Sequence, residues 1–421
     1  MKTEKLGNLA EFRNGLNYTD ADNGSGLAVV GVSDFQDKVV IDTGNLPQLS
    51  LSALSKPDAL IHEGDVLFVR SNGNRELIGR SVYVNTEPTM PTSHSGFTIR
   101  CRFHDRRCYP RYYAYLFRGS IIRQTLSSHG GGTNISNLNQ QILADLDVPV
   151  PDLWMQERIA GILSAYDDLI EVNQRRIAIL EDMARRLFDE WFVRFRYPGH
   201  EAVPLIETEL GMVPEGWQIE TARQALTYTG GGTPSKAEHR YWRDGDIQWF
   251  TPTDLTKSGQ TFLRRSSLMI TKEGLAKSSA RLFPAFSIMM TSRATLGVFA
   301  INTEPATTNQ GFITFLPSSR TPVYFLVHML KREFPRMEAV ASGATFKEIT
   351  KGALGELVFA FPPETLTHRF EQLATPMMEQ IATVSRQNDS LRAARDLLLP
   401  KLISGEIDLS AAEETFAEAA E

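Results

Sequence analysis

Between Ile159 and Trp191 the apolar positions return at alternating steps of four and three: Ile159, Leu163, Tyr166, Ile170, Asn173, Ile177, Leu180, Ala184, Leu187 and Trp191. A period of 3.5 marks the a/d seam of a helix that packs against one partner helix and not against a broad core. A second seam follows at Phe370, Ala374, Met377, Ile381, Val384, Asn388, Leu391, Arg395 and Leu398. The two stripes are chemically compatible, so the expectation is an intrachain antiparallel coiled coil. Each seam carries one asparagine, Asn173 and Asn388, which would either pair and fix the register or lie at wet positions. Arg395 is out of character in such a seam. Pro400 should kink or end the second helix, since it lacks an N–H and clashes with the preceding turn.

Elsewhere the pattern changes to short β-branched and aromatic runs broken by Gly, Pro and Asn. Such runs stand at Val66–Val69 and Ser81–Val84, and again at Ile288–Met290 and Val298–Ile301. Each set predicts the strands of a mixed α+β domain, with a small helix after it around Tyr112–Leu126 and Val323–Ala341. Prolines at Pro149/Pro151 and Pro362/Pro363 then introduce the long helices. The expected order is a domain over 1–150, a long helix over 151–197, a linker and second domain over 198–362, a long helix over 363–405 and a tail over 406–421.

The chain also repeats itself. Residues 132–192 lie on residues 343–403 at a constant offset of 211, with Gly132 on Gly343, Leu146 on Leu357, Pro151 on Pro362 and Ile170 on Ile381. Upstream the offset changes but the order persists. Asn85-Thr86-Glu87-Pro88 recurs as Asn302-Thr303-Glu304-Pro305, and His94-Ser95-Gly96-Phe97 is answered by Asn309-Gln310-Gly311-Phe312. Gly31-Val32-Ser33-Asp34-Phe35 is answered by Thr251-Pro252-Thr253-Asp254-Leu255. Together these imply a tandem duplication of one domain plus one helix.

Composition narrows the function classes. At 421 residues the chain exceeds a single ordinary core. No apolar stretch approaches the ~20 residues needed to cross a bilayer, and the N-terminus lacks a signal-like apolar run, so a cytoplasmic setting is expected. Two cysteines, Cys101 and Cys108, supply neither a disulfide framework nor a structural zinc site. The net charge of −6 weighs against phosphate binding, yet six acids after Lys401 account for it, in a tail expected to be disordered. By contrast Arg100, Arg102, Arg106, Arg107, Arg111, Arg118 and Arg123 lie close together, as a DNA-facing or merely solvated basic face.

Catalytic signatures are missing. There is no Gly-Lys-Ser/Thr phosphate loop, no His-Glu-x-x-His, no Gly-x-Ser-x-Gly and no Cys-x-x-Cys. Gly130–Gly132 and Gly230–Gly232 read as flexible turns, and His94 and His129 have no evident catalytic partners. No enzyme activity, metal or cofactor is expected of this chain.

The motifs carry a family resemblance. Leu210-Gly211-Met212-Val213-Pro214-Glu215-Gly216-Trp217 is followed by Gly231-Gly232-Thr233-Pro234-Ser235, Tyr241-Trp242 and Ile247-Gln248-Trp249-Phe250-Thr251-Pro252. Gln156-Glu157-Arg158-Ile159 opens the first helix, and Leu398-Leu399-Pro400-Lys401-Leu402-Ile403-Ser404-Gly405-Glu406-Ile407 closes the second. This ordered set resembles the specificity subunit of Type I restriction–modification systems. The resemblance implies an α+β fold of two tandem target-recognition domains separated by two long helices, each domain reading one half of a bipartite duplex DNA site. It implies as partners two modification subunits, which bind S-adenosylmethionine, and a motor-nuclease subunit that uses ATP and Mg. A helix from Ile159 to Trp191 is about 48 Å long at ~1.5 Å per residue, more than one turn of B-DNA, and suits a spacer between half-sites. The first domain's opening, Leu6-Gly7-Asn8 to Asn17-Tyr18, departs from the pattern by lacking Gly-Gly-Thr-Pro.

Reading bases needs side chains with directed donors and acceptors, placed by others that hold phosphate. In the first domain the candidates are Ser71, Asn72, Asn74, Arg75, Ser93, His94 and Asn134. In the second they are Lys236, Arg240, Tyr241, Ser292, Arg293, Thr295, Thr308, Asn309, Gln310, Thr345 and Lys347. Arg175, Arg176, Arg185 and Arg186 on the first helix are open to DNA, partners or solvent. Two other readings stay open: an assembly scaffold that never reads bases, and an enzyme with a degenerate site.

Overall fold

A computed structural model describes residues 2–35, 39–54, 57–72, 74, 77–128, 138–343, 346–407 and 409. The chain divides into two compact units, Met1–Glu171 with Asp389–Glu421, and Val172–Asn388. Unit 1 opens with β1 (Thr3–Lys5), β2 (Ala10–Asn14), β3 (Gly26–Val30) and β4 (Gln48–Ser50). It continues through β5 (Val66–Val69), β6 (Ser81–Tyr83), β7 (Thr92–His94) and β8 (Thr98–Phe103) to α1 (Pro110–Arg118) and α2 (Ser120–Ser128). After α3 (Gln140–Ala144) and β9 (Asp147–Pro149) comes the long α4 (Leu153–Phe188), which crosses the unit boundary. A four-stranded antiparallel sheet runs β2-β8-β5-β6, and a three-stranded sheet β4-β3-β7 has β3 parallel to β7. All four residues of Val66-Leu67-Phe68-Val69 are buried, as a central strand covered on both faces requires. The small helix expected over Tyr112–Leu126 is two helices, broken at Gly119, whose extended backbone cannot continue α1.

Unit 2 repeats this plan. Its strands are β10 (Leu205–Thr208), β11 (Gly211–Pro214), β12 (Gln218–Thr221), β13 (Thr227–Gly230), β14 (Ile247–Phe250), β15 (Phe262–Leu263) and β16 (Leu268–Ile270). They continue with β17 (Ile288–Arg293), β18 (Thr295–Asn302), β19 (Ala306–Thr308), β20 (Phe312–Leu316) and β21 (Val358–Phe361). Helices α5 (Ala222–Ala225), α6 (Pro252–Ser258), α7 (Lys272–Ala276), α8 (Val323–Ala339) and α9 (Lys351–Gly355) precede the long α10 (Glu364–Ser404). The main sheet runs β13-β20-β17-β18-β15 and the second β16-β14-β19. Strand by strand, β2-β8-β5-β6 answers β13-β20-β17-β18, β4-β3-β7 answers β16-β14-β19, and the pair β1-β9 answers β12-β21. Unit 2 adds β15 and the β10–β11 hairpin.

The ladders correct one detail of the repeat. Thr98 opposes Val69 and Phe312 opposes Thr291, while Val30 opposes His94 and Phe250 opposes Thr308. His94 therefore corresponds to Thr308, Ser95 to Asn309 and Phe97 to Gly311. The match by residue type was one place out. The Asn85/Asn302 match shifts likewise, because Gly64 N donates to Val84 O and Phe286 N to Asn302 O. Gly31 and Thr251 do correspond. Their backbone N–H groups donate to Asp34 and Asp254 carboxylates, both at 2.7 Å, which is why an aspartate recurs three residues on.

The long helices pair antiparallel within each unit. In unit 1, Ile159 and Leu163 share the core with Leu399 and Leu402, and Arg395 pairs with Asp167. In unit 2, Asn173 Nδ2 donates to Asn388 Oδ1 at 2.8 Å, and Phe188 and Trp191 lie 5.9 and 6.3 Å from Phe370. Ile170, Ala184, Ala374, Ile381 and Val384 are buried on the seam, whereas Tyr166, Ile177, Leu180, Leu187, Met377, Leu391 and Leu398 are half-buried. Arg395 is explained by the Asp167 carboxylate, which also accepts from Tyr115 Oη at 2.6 Å. Pro400 does not end α10, which runs on to Ser404. Residues 410–421 of the acidic tail, and Gly130–Gly132, lie outside the described residues.

Candidate nucleic-acid interface

In unit 2 most of the candidate residues gather at one end of the main sheet. Gly230 opposes Ile313 and Thr291 opposes Phe312, so the turn after β13, the loop before β20 and the β17–β18 hairpin share that end. Gly231 packs so tightly there that an added Cβ would sit 2.0 Å from Asn309 O and 2.3 Å from Thr308 O. A glycine is required by this close approach, not by flexibility. Thr233 Oγ1 donates to Gln310 Oε1 at 2.6 Å, Asn309 Oδ1 accepts from Gly311 N at 2.9 Å, and Trp249 Nε1 donates to Gly232 O at 2.9 Å. The hairpin tip is turned by Ala294 at φ 62° and tied to the 346–349 segment by Ala294 N to Lys347 O and Ile349 N to Ser292 O. Arg293, Thr295, Gln310 and Lys347 are exposed on this end, and Asn309 is half-buried.

Other candidates are withdrawn from the surface by the fold. Ser292 and Thr308 are buried in β17 and β19, and Tyr241 is buried in the turn before Trp242. Ser93 and His94 are fully buried in β7, with Ser93 Oγ donating to Ala59 O at 2.7 Å and His94 Nδ1 bonded to Thr98 Oγ1 at 2.8 Å. Burial, with Arg100, Arg13 and Arg102 nearby, lowers the His94 imidazole to about 3, so it is neutral. As folded, none of these five side chains reaches a surface ligand. In β7 successive side chains face opposite ways and both faces are covered, so neither Ser93 nor His94 reaches solvent. Lys236 is exposed, and exposed Arg240 is shared between Glu238 and Glu273 at 3.2 and 3.3 Å. Arg75, Asn134 and Thr345 lie outside the described residues.

Unit 1 builds the same end by other residues. Gly15 stands where Gly231 stands, since Asn14 opposes Ile99 as Gly230 opposes Ile313. A Cβ on Gly15 would lie 2.2 Å from both His94 O and Ser95 O. Gly15-Leu16-Asn17-Tyr18 thus stands in unit 1 where Gly231-Gly232-Thr233-Pro234 stands in unit 2. Around it lie Asn17, Arg70, Ser71, Asn72 and Asn74, with Asn72 Oδ1 accepting from Asn74 N at 2.8 Å. Sequence reading overlooked Asn17, Arg70, Phe97, Phe346 and Lys351. The aromatics Phe97 and Phe346 are 63% and 62% exposed, and Lys351 Nζ lies 3.5 Å from the Cβ position of Gly230. The strand register would have found Phe97, since it fixes which residues follow the buried His94.

The arginine-rich stretch is largely spent inside unit 1. Arg100 donates to Asp58 O, Leu60 O and Glu11 at 2.8–3.0 Å, and Arg102 grips Asp65 through two bonds of 2.7 Å. Arg107 holds Glu4 and Asp105, Arg118 donates to Ser81 O and Arg123 to Ile78 O. Only Arg106 of this set is exposed without a partner among the described residues. It is a structural lattice, not a groove for phosphate.

The same sheet end thus occurs twice at one register, each closed by a closely packed glycine and fringed with amide, hydroxyl and cationic groups. A family model described as the Type I restriction modification DNA specificity domain matches residues 1–182 and 214–366. The chain belongs to this family. As a member it is a DNA specificity subunit of a Type I restriction–modification system. It is 30% identical over 187 residues to the MjaIX specificity subunit of Methanocaldococcus jannaschii, covering 44% of this chain and 43% of that one. With the HindI specificity subunit of Haemophilus influenzae it shares 24% over 325 residues, 63% of this chain and 70% of the relative. With a putative MjaX specificity subunit of M. jannaschii it shares 22% over 409 residues, 95% and 91%. The solved S subunit from M. genitalium matches at a TM-score of 0.56 and 12% identity over 95% of both chains, a likeness of fold. No described helix is long and apolar enough to cross a membrane.

Proposed function

We propose that this specificity subunit reads a bipartite duplex target, one unit per half-site, and directs chemistry that other subunits perform. The observation that carries this is the duplication of the sheet end at the same register in both units, with different side chains on each. A shared scaffold with divergent polar fringes suits two different half-sites. Residues 1–150 and 198–362 are the two readers, and the helices over 151–197 and 363–405 serve as spacer and docking surface. Val172, Ile179 and Met183 on α4 are more than half exposed at helical spacing, an apolar stripe fit for partner helices of the modification subunits. S-adenosylmethionine belongs on those subunits, and ATP and Mg on the motor-nuclease subunit. The setting is the cytoplasm.

Selection from a pool of random duplexes by the assembled methylation complex tests this reading. A two-part motif with an unspecified gap should emerge, and substituting Arg293, Gln310 and Lys347 by alanine should relax one half only. Enrichment without sequence preference would leave the chain an assembly scaffold.

A further inference from the structure

We infer that Phe97 is a wedge that enters the base stack at the half-site read by unit 1; the inference rests on the DNA-reading function proposed above. Phe97 is the most exposed aromatic ring among the described residues, at 63%. It rides at the third position of the turn Ser95-Gly96-Phe97-Thr98, closed by Thr98 N to Ser95 O at 2.9 Å and Thr98 Oγ1 to Ser95 O at 2.7 Å.

The turn is clamped from both sides. Gly96 N donates to Leu16 O at 2.6 Å, and Phe97 O accepts from Arg70 N at 2.8 Å and Ser71 N at 3.3 Å. Arg70 Nη1 reaches Gly96 O at 3.3 Å, and a Cβ on Gly96 would meet Asn17 Oδ1 at 2.1 Å. Beneath, the buried His94 holds Thr98 Oγ1 at 2.8 Å. These bonds fix the backbone that carries the ring, which stands 63% exposed. Single exposed apolar residues are ordinary on protein surfaces, but this one stands on a hydrogen-bonded turn among polar groups at the sheet end.

The fold itself does not need the ring. Unit 2 closes the same turn at the same register with Gly311, whose N–H is satisfied by Asn309 Oδ1. Phe97 is therefore an addition to the turn, not part of its construction. Its surroundings suit nucleic acid: Arg70 makes no ion pair among the described residues, and Ser71, Asn72 and Asn17 offer donors and acceptors beside it. Apolar side chains set among such groups enter between base pairs and unstack them, or stack on exposed bases. Phe97 touches no reacting atom, and its role is positioning: loosening a step of the duplex where the modification subunit must extract a base.

The test uses the complex assembled with its modification subunits and a duplex carrying its mapped target, with 2-aminopurine placed in turn at each step of both half-sites. One step of one half-site should brighten on binding. Phe97→Ala should abolish that signal and weaken target binding about tenfold, a typical worth for a base–ring contact. Phe97→Trp should keep both. A mismatch at the same step, which lowers the cost of unstacking, should restore Phe97→Ala binding to within about twofold of the parent. Unchanged fluorescence in Phe97→Ala, or an affinity loss that the mismatch does not rescue, overturns the wedge while leaving sequence reading intact. A parent complex with no sequence preference overturns the underlying reading instead.

Discussion

The asparagine pair on the helix seam makes the sharpest energetic prediction. Asn173 and Asn388 are 7% and 2% exposed and share a hydrogen bond of 2.8 Å. Asn388→Ala removes one partner and strands the other amide in a dry seam, at a cost of about 1–3 kcal/mol. Replacing both with leucine removes the polar groups altogether and should be close to neutral, since an apolar pair of similar volume needs no partner. Unit 2 spans Val172–Asn388, a size at which 1 kcal/mol moves the midpoint by roughly 2–4 °C. Asn388→Ala and Asn173→Ala should therefore each lower the first thermal transition by about 4–8 °C at a central cost of ~2 kcal/mol. Circular dichroism at the helix band on the full chain reads this directly. The double leucine variant should recover to within about 3 °C of the parent. A double variant that loses as much as the two singles combined would show that the amides act independently, and the paired-seam account would be wrong.

Arg395→Ala should destabilise by about 1.5–3 kcal/mol in chemical denaturation, because it removes the paired cation from the half-buried Asp167 carboxylate; a loss below ~0.5 kcal/mol contradicts this. Gly15→Ala and Gly231→Ala force a Cβ to within 2.2 and 2.0 Å of backbone carbonyls and should sharply reduce soluble yield, where Gly161→Ala on α4, with open space at its Cβ, should not. Acid should weaken both units. Burial lowers His94 to about 3 and His328 to about 4, from an ordinary 6.5, so below pH 6.5 the unfolded chain takes up protons that the fold refuses. Stability is then full above pH 6.5 and falls toward pH 4 by up to ~1.4 kcal/mol per pH unit for each histidine. Denaturation midpoints that stay flat from pH 7 to 4 contradict the buried neutral state.

The long helices and the duplication were legible because both are written in periods. A 3.5-residue seam and a constant offset of 211 survive without knowledge of tertiary contacts. Even the misfit Arg395 was visible, although Asp167, its reason, sits 228 residues away and could not be read. The recognition edge was less legible. Ser93, His94 and Thr308 look like loop polar residues by composition, yet they lie in buried strands, a fact set by strand pairing across distant segments. Matching His94 to Asn309 by type missed the register by one, which hid Phe97 opposite Gly311. Gly15 was hidden for the opposite reason: one glycine in unit 1 does by close approach what a conspicuous Gly-Gly-Thr-Pro advertises in unit 2.

If this chain decides where its system marks DNA, methylation mapping of a host genome carrying the modification subunits, with and without the chain, will show it. A split motif of two fixed halves should be methylated only when the chain is present, and exchanging residues 198–362 for those of another specificity subunit should change one half and keep the other. Methylation of the same sites without the chain, or of both halves changed by the exchange, would contradict it.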